Sequence, residues 1–169
     1  LNRGCGDTVS REVATDIQCW GVSALGVEGW NRIQPGLAAR MIDFVERRCL
    51  NEVAYRRPDG KVVRVRGVDF VDRERTAALD RPPLVSPEWT CQLINAYQRL
   101  ARESGDGVYL EKRRALIESL LGMASKKGKT LTLPYATQDD ALIGHEHRTP
   151  RAGNVSAISA AYAILAMKG

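Results

Sequence analysis

Ser86-Pro87-Glu88-Trp89-Thr90-Cys91-Gln92-Leu93-Ile94-Asn95-Ala96-Tyr97-Gln98-Arg99-Leu100-Ala101 is the stretch on which the fold turns. Its first three residues are a helix start. Ser86 suits the cap, Pro87 tolerates a first helical position whose N–H would have no partner, and Glu88 puts a carboxylate near the positive end of the helix dipole. Leu93, Ala96, Tyr97, Leu100 and Ala101 then fall on one face at helical spacing. Ser104-Gly105-Asp106-Gly107 breaks the pattern, and Leu110, Arg113, Ile117, Leu120, Leu121 and Ala124 resume it in a second helix running to the lysines at 126–129 and Gly128. Two helices joined by so short a break predict an antiparallel hairpin.

The same pattern is legible towards the N-terminus. Ile17, Trp20, Ala24 and Leu25 mark a helix with Thr15 as its cap and Gly26 as its stop, with Trp30 in the following loop. From Pro35, the residues Leu37, Met41, Phe44, Val45 and Arg48 predict another, reaching about Glu52. Between 53 and 72 the period changes. Pro58-Asp59-Gly60 is a turn signal, and the β-branched segments 62–65 and 68–71 predict a small β-hairpin insertion around residues 61–71. Residues 72–85, with Arg81-Pro82-Pro83, read as an irregular loop. Residues 129–154 hold no sustained period but many polar groups, and such a long segment in a compact domain is commonly functional or disordered. Val155 to Met167 is a small-residue helix suited to tight packing.

Composition narrows the classes. With 169 residues, 44% hydrophobic and 27% charged, the chain can bury a core, which argues against disorder. No apolar run is long enough for a membrane span, so the chain as given reads as soluble. Cys5, Cys19, Cys49 and Cys91 form no C-x-x-C pair, which argues against structural zinc; Cys19 and Cys91 fall in apolar helical patterns and read as buried thiols, and a disulfide stays open. The net charge is +5, with positive clusters at 56–57, 64–66, 112–114 and 126–129. These suit an anionic partner or simply solvated helix ends and loop tips. No aromatic residues interleave them, so nucleic acid is disfavoured, and no P-loop, dinucleotide fingerprint or nucleophile elbow occurs. No cofactor is expected.

Thr15-Asp16-Ile17-Gln18-Cys19-Trp20 opening one helix, Glu88-Trp89-Thr90 opening another, and Tyr97-Gln98-Arg99-Leu100-Ala101 with Gly105-Asp106 and Tyr109-Leu110 resemble the six-hairpin glycosidase-like (α/α) toroids. The segment Arg148-Thr149-Pro150-Arg151-Ala152-Gly153-Asn154 before a small-residue helix is similar to the last inner helix of such rings. The resemblance covers most of the chain from about residue 13. It implies a mainly α fold of helical hairpins, with inner helices aiming their N-terminal ends at a funnel that binds a sugar chain. Twelve helices of about 11–12 residues with connections of about 4–6 need on the order of 200 residues. The expectation is therefore one helical domain over 1–169, the C-terminal part of a larger toroid, completed by an N-terminal half or a partner chain.

Glycoside hydrolysis uses two carboxyl groups across the scissile bond. Asp16 and Glu88 are the best pair, with Asp139 or Asp140 as substitutes, and Glu88 is also explained as a carboxylate stabilised by the helix dipole. Trp20 and Trp89 are candidates for stacking on a sugar, although core packing explains each equally simply. His145 and His147, with Glu146 between them, suit acid–base chemistry, as in a lyase or sugar epimerase, or hydrogen bonding to a glycan. Metal binding would need a third ligand such as Asp139 or Asp140, in no recognised signature, and is not expected. Gln18, Tyr135, Asp140, His147 and Arg148 complete the candidate binding residues. The function expected is a carbohydrate-active protein of glycoside hydrolase type acting on a polysaccharide or oligosaccharide. The alternative is a non-catalytic helical module that binds glycan or protein in a larger envelope or polysaccharide assembly.

Overall fold

The computed structural model describes residues 4–5, 8–9, 13–144, 146–151 and 155–168. Among these, the elements in chain order are β1 (Gly4–Cys5), β2 (Thr8–Val9), α1 (Thr15–Ile33), α2 (Leu37–Arg48), β3 (Leu50–Arg56), β4 (Val62–Val68), α3 (Arg73–Ala78), α4 (Pro87–Ser104), α5 (Val108–Met123), β5 (Ser125–Lys127), β6 (Thr130–Thr132), β7 (Leu142–Gly144), β8 (His147–Arg148) and α6 (Ala157–Lys168). The strands form four separate two-stranded antiparallel ribbons, and the fold is mainly α.

Helix α4 begins as its sequence dictates. The Ser86 hydroxyl accepts the N–H of Trp89, Pro87 opens the helix, and Gly105 closes it in the left-handed conformation at φ 73°. Helix α5 folds back beside it, and α2 folds back on α1 after Gly36. Helix α1 departs from the expectation. Gly26 does not stop it but kinks it at φ 68° and ψ 179°, and the helix resumes because the Glu103 carboxylate accepts the freed N–H of Val27 at 2.6 Å. The backbone at residue 26, with φ 68°, is one that residues with a side chain rarely adopt, so the kink needs glycine. Trp30 accordingly belongs to α1 rather than to a loop. It is buried, and its indole N–H donates to the Gly21 carbonyl across the kink at 2.7 Å. Thr15 is likewise not a cap but the first helical residue, its hydroxyl donating to the Asp69 carbonyl.

Helices α1 and α4 run parallel. Asp16 and Glu88 meet at one end, Ser23 and Asn95 face each other midway, and Val27 and Glu103 are bonded at the other end. Between these helices and their antiparallel partners lies a core that includes Val22, Ile42, Val45, Ile94, Leu100 and Leu120. At its edge, Lys112 donates to both Glu46 oxygens at 2.8 Å, and the buried Tyr97 hydroxyl donates to Glu46 Oε1 at 2.8 Å.

The β-hairpin pairs Leu50–Arg56 with Val62–Val68, from Leu50 opposite Val68 to Arg56 opposite Val62, so it starts well before the expected 61–71. Helix α2 stops at Arg48 because the next residues alternate: Val53 and Tyr55 turn inward while Glu52, Ala54 and Arg56 face water. Residues 68–71 do not pair with 62–65: Val68 ends β4 opposite Leu50, and Val71 makes an isolated bridge to Ala14. Gly67 lets β4 lie close on α4, since a Cβ there would come within 2.5 Å of both Thr90 Oγ1 and Val85 Cγ1. The Thr90 hydroxyl accepts from Val68 N–H at 3.0 Å and donates to the Ser86 carbonyl at 2.7 Å. Two further expectations are corrected. Residues 72–85 contain α3, capped by Asp72, whose carboxylate accepts the N–H groups of Glu74 and Arg75. Helix α5 ends at Met123, and the lysines belong to the β5–β6 ribbon turning at Gly128, φ 62°.

After the hairpin comes a buried ion pair. Asp69 is fully buried and the Arg81 side chain is 6% exposed; Arg81 Nη2 meets Asp69 Oδ1 at 2.6 Å and Nη1 meets Oδ2 at 2.8 Å. The same carboxylate accepts Phe70 N–H at 2.7 Å and Leu84 N–H at 3.0 Å, while Arg81 Nε donates to the Leu142 carbonyl of β7. Removing one partner of such a pair strands a buried charge. Arg81→Met is expected to lower the unfolding free energy by about 3–5 kcal/mol in urea titrations. Arg32→Met, which breaks only the exposed pair with Glu28, is expected to stay within about 1 kcal/mol of the parent. Equal losses in the two variants would show that the Asp69–Arg81 pair carries no special weight.

Candidate functional site

Asp16 lies in the first turn of α1 and Glu88 in the first turn of α4. Because these helices are parallel neighbours, both carboxylates arrive at one end, where two helix N-termini also contribute partial positive charge. Both side chains are half-buried. Burial pushes the Glu88 carboxyl above the ordinary carboxylate value, and the charge of nearby Asp16 pushes it further in the same direction.

Aromatic side chains lie near the pair. Trp20, one turn beyond Asp16 on α1, is 54% exposed and tilts against Tyr162 of α6, with ring centroids 6.4 Å apart and planes at 57°. Burial raises the Tyr162 phenol, and the charges of Glu88 and Asp16 add to this, so Tyr162 faces the same mouth. Tyr135 is raised by burial and by Glu88. It stacks on Phe70 at 5.6 Å and 19°, and Phe70 meets Trp89 edge-on at 4.6 Å and 70°. The mouth thus holds a carboxyl group inclined to keep its proton, a second carboxylate and several aromatic rings. This set can donate a proton and present apolar faces to the C–H surface of a sugar.

The candidate residues do not all converge. Asp16, Glu88, Trp20, Trp89 and Tyr135 lie at or beside the mouth. Gln18 is only 3% exposed, on the buried face of α1, and has no surface to offer a substrate. Asp139 is exposed in a different hollow of about 520 Å³, with Tyr55 and Arg56 of the hairpin, where its charge bears on Tyr55. Asp140 pairs with Arg148 at 3.6 Å, and Arg148 and the exposed His147 belong to the β7–β8 ribbon. His145 lies outside the described residues. Three mouth and groove residues escaped the sequence reading: Tyr162, Gln92 and Asn95. Tyr162 is embedded in an aliphatic helix that reads as core. Gln92 and Asn95 did carry a signal, since with Glu88 they fall at i, i+4 and i+7 on one face of α4.

The basic clusters are dispersed and largely engaged. Arg57 pairs with Asp59 at 2.9 Å, Arg64 with Glu52 at 2.6 Å, and Lys112 with Glu46. Cys19, Cys49 and Cys91 are free, buried thiols, with burial pushing Cys49 up to about 11 and Cys91 up to about 12. Among the described residues, no group of three His, Cys, Asp or Glu side chains could hold a metal ion, and no helix is long and apolar enough to cross a membrane.

The raised Glu88 carboxyl has a stability signature. Below about pH 4 it is protonated in both folded and unfolded chains. As pH rises, the unfolded chain ionises first while the folded chain resists, so the folded state loses stability up to and through the folded value. Glu88→Gln removes this penalty. The melting temperature of the variant is expected to match the parent near pH 4 and to exceed it increasingly towards pH 7; a difference that does not change with pH would show that folding leaves Glu88 unperturbed. Comparison with family models, with curated proteins and with solved structures finds no match for the chain.

Proposed function

We propose that this chain is the C-terminal part of an (α/α) toroid that hydrolyses a polysaccharide or oligosaccharide, with Glu88 as proton donor and Asp16 as its carboxylate partner. The observation that carries this reading is the nearness of the two carboxyl groups at the starts of the parallel helices α1 and α4, where burial and then the charge of Asp16 push the Glu88 carboxyl above its ordinary value. The helix arrangement supports the same reading. Parallel α1 and α4 begin at the same end, and α2 and α5 fold back beside them, as the helical hairpins of such a ring would.

In this mechanism, Glu88 gives its proton to the glycosidic oxygen as the C–O bond breaks. Asp16 meets the positive charge developing on the sugar ring, either attacking it directly or taking a proton from the attacking water. Trp20 and Tyr162 hold the ring through its C–H face, so that the bond stays between the carboxyl groups.

A second reading draws on a different surface. An apolar hollow of about 210 Å³ bounded by α5, β6 and α6, beside the exposed Leu131, Ile164 and Met167, favours a helical module packed within a larger assembly, binding glycan or protein without catalysis. Turnover separates the two. On a panel of polysaccharides followed by release of reducing ends, Glu88→Gln and Asp16→Asn are each expected to lower the rate about 10²–10⁴-fold. In the parent, the rate is expected to fall at high pH as Glu88 loses its proton. Unchanged turnover in both variants would remove the pair from the chemistry, and saturable binding with no product would favour the second reading.

A further inference from the structure

From the mouth, a groove continues between α1 and α4. Its first hollow, about 300 Å³, is lined by Trp20, Ser23 and Ala24 of α1, Gln92 and Asn95 of α4, and Tyr162 of α6. That volume is at the lower end of the range for small-molecule sites, about 300–1,000 Å³. Ser23 and Asn95 also line the next hollow, about 200 Å³, together with Gln98, Arg102 and Arg99, which pairs with Glu103. The groove exists because the two parallel helices carry matching stripes. Asp16, Trp20 and Ser23 fall at i, i+4 and i+7 on α1, and Glu88, Gln92 and Asn95 fall at the same spacing on α4. Trp20 lies four residues after Asp16, about 6 Å along the axis, so a ring against it neighbours the bond that the carboxyl groups flank.

Two features show that this groove is equipped for a ligand. Trp20 remains 54% exposed while Trp30, the other tryptophan of α1, is buried, and with Tyr162 it gives the hollow an aromatic wall. Gln92 is 4% exposed, and its Oε1 has no hydrogen-bond partner among the described residues. Buried carboxamides are nearly always bonded, so this oxygen, itself shut off from solvent, is an acceptor left without a donor that a turn of the side chain would bring to the hollow. Rotation of the amide exchanges Oε1 and Nε2, so Gln92 can both accept from and donate to a substituent. The side chains lining the first hollow are all uncharged.

We infer that this groove is a subsite for an extended neutral glycan, with Trp20 and Tyr162 stacking on a pyranose ring and the amides of Gln92 and Asn95 bonding its hydroxyl or acetamido groups. The inference rests on the reading of the mouth as a glycan-cleaving site, but it concerns binding and is tested separately from cleavage. The probes are cellohexaose, maltohexaose and chitohexaose, titrated into the full chain carrying Glu88→Gln by calorimetry and by quenching of tryptophan fluorescence.

At least one hexasaccharide is expected to bind saturably. Adding Trp20→Ala should weaken it tenfold or more, and this exposed side chain can be removed without disturbing the core. Gln92→Met should weaken binding comparably while raising the melting temperature, because an unpaired buried oxygen disappears; a merely structural Gln92 would not couple the two effects. Asp139→Asn, in the other hollow, should leave binding unchanged. The subsite is overturned if none of the three sugars binds, or if one binds with an affinity indifferent to Trp20 and Gln92. Should that indifference accompany a parent whose cleavage depends on Glu88, the carboxylate reading stands and only the groove fails. Binding that depends on Trp20 and Gln92, in a parent that cleaves no glycan, supports the groove and removes the hydrolase.

Discussion

The architecture depends on one buried contact, the two-pronged bond between the Asp69 carboxylate and the Arg81 guanidinium. Desolvating two charges is unfavourable, and what offsets it here is complete saturation of the carboxylate: two bonds from Arg81 and one each from the N–H groups of Phe70 and Leu84. Four parts of the chain meet at this point. The Asp69 carbonyl holds the Thr15 hydroxyl at the start of α1 at 2.7 Å, Leu84 leads directly into α4, Asp69 itself follows β4, and Arg81 reaches the β7–β8 ribbon through the Leu142 carbonyl. The starts of α1 and α4 are thereby held to one another. Their first-turn carboxyl groups, Asp16 and Glu88, have their positions set by this pair, although neither touches it.

Parallel packing of α1 and α4 has an electrostatic consequence. Two helix N-termini at one end concentrate partial positive charge there, which suits two carboxyl groups, yet the partial burial of Glu88 and the charge of Asp16 work against ionisation of both. Glu46 shows the contrasting use of a carboxylate. It accepts from Lys112 and from the Tyr97 hydroxyl, so its acceptor capacity is consumed within the fold. At the other end of α1 and α4, Glu103 is likewise spent on Arg99 and on the N–H exposed by the kink at Gly26. Carboxylates thus close the core at one end of the helix pair and face an open mouth at the other.

Several features of the sequence were readable because their causes are local. The start of α4 follows from Ser86-Pro87-Glu88, and the turn at Pro58-Asp59-Gly60 was visible in the residues themselves. The misreadings have non-local causes. Gly26 carries every mark of a helix stop, and α1 continues only because a carboxylate 77 positions later supplies the missing acceptor. Residues 50–52 look like the end of α2 until their pairing with 66–68 is known. Asp69 was unremarkable in a segment read as strand and Arg81 in one read as loop, since only burial makes that pair decisive. Tyr162 was hidden by its aliphatic neighbours, whereas the stripes Glu88-Gln92-Asn95 and Asp16-Trp20-Ser23 were present in the spacing and took on meaning only when the helices faced each other.

By itself the sequence determined the starts of the longer helices, the hairpin turn and the placing of Asp16 and Glu88 in first helical turns, because capping, glycine conformation and apolar periodicity act over a few residues. Only the tertiary structure decided that α1 and α4 run side by side in the same direction, that Asp139 lines a hollow with Tyr55 and Arg56 of the hairpin, and that the Glu88 carboxyl is pushed above its ordinary value. These outcomes depend on charges and surfaces brought together from segments up to about 70 residues or more apart, and on the loss of water around them. Neither the distance between two such groups nor their solvation exists until the chain has closed.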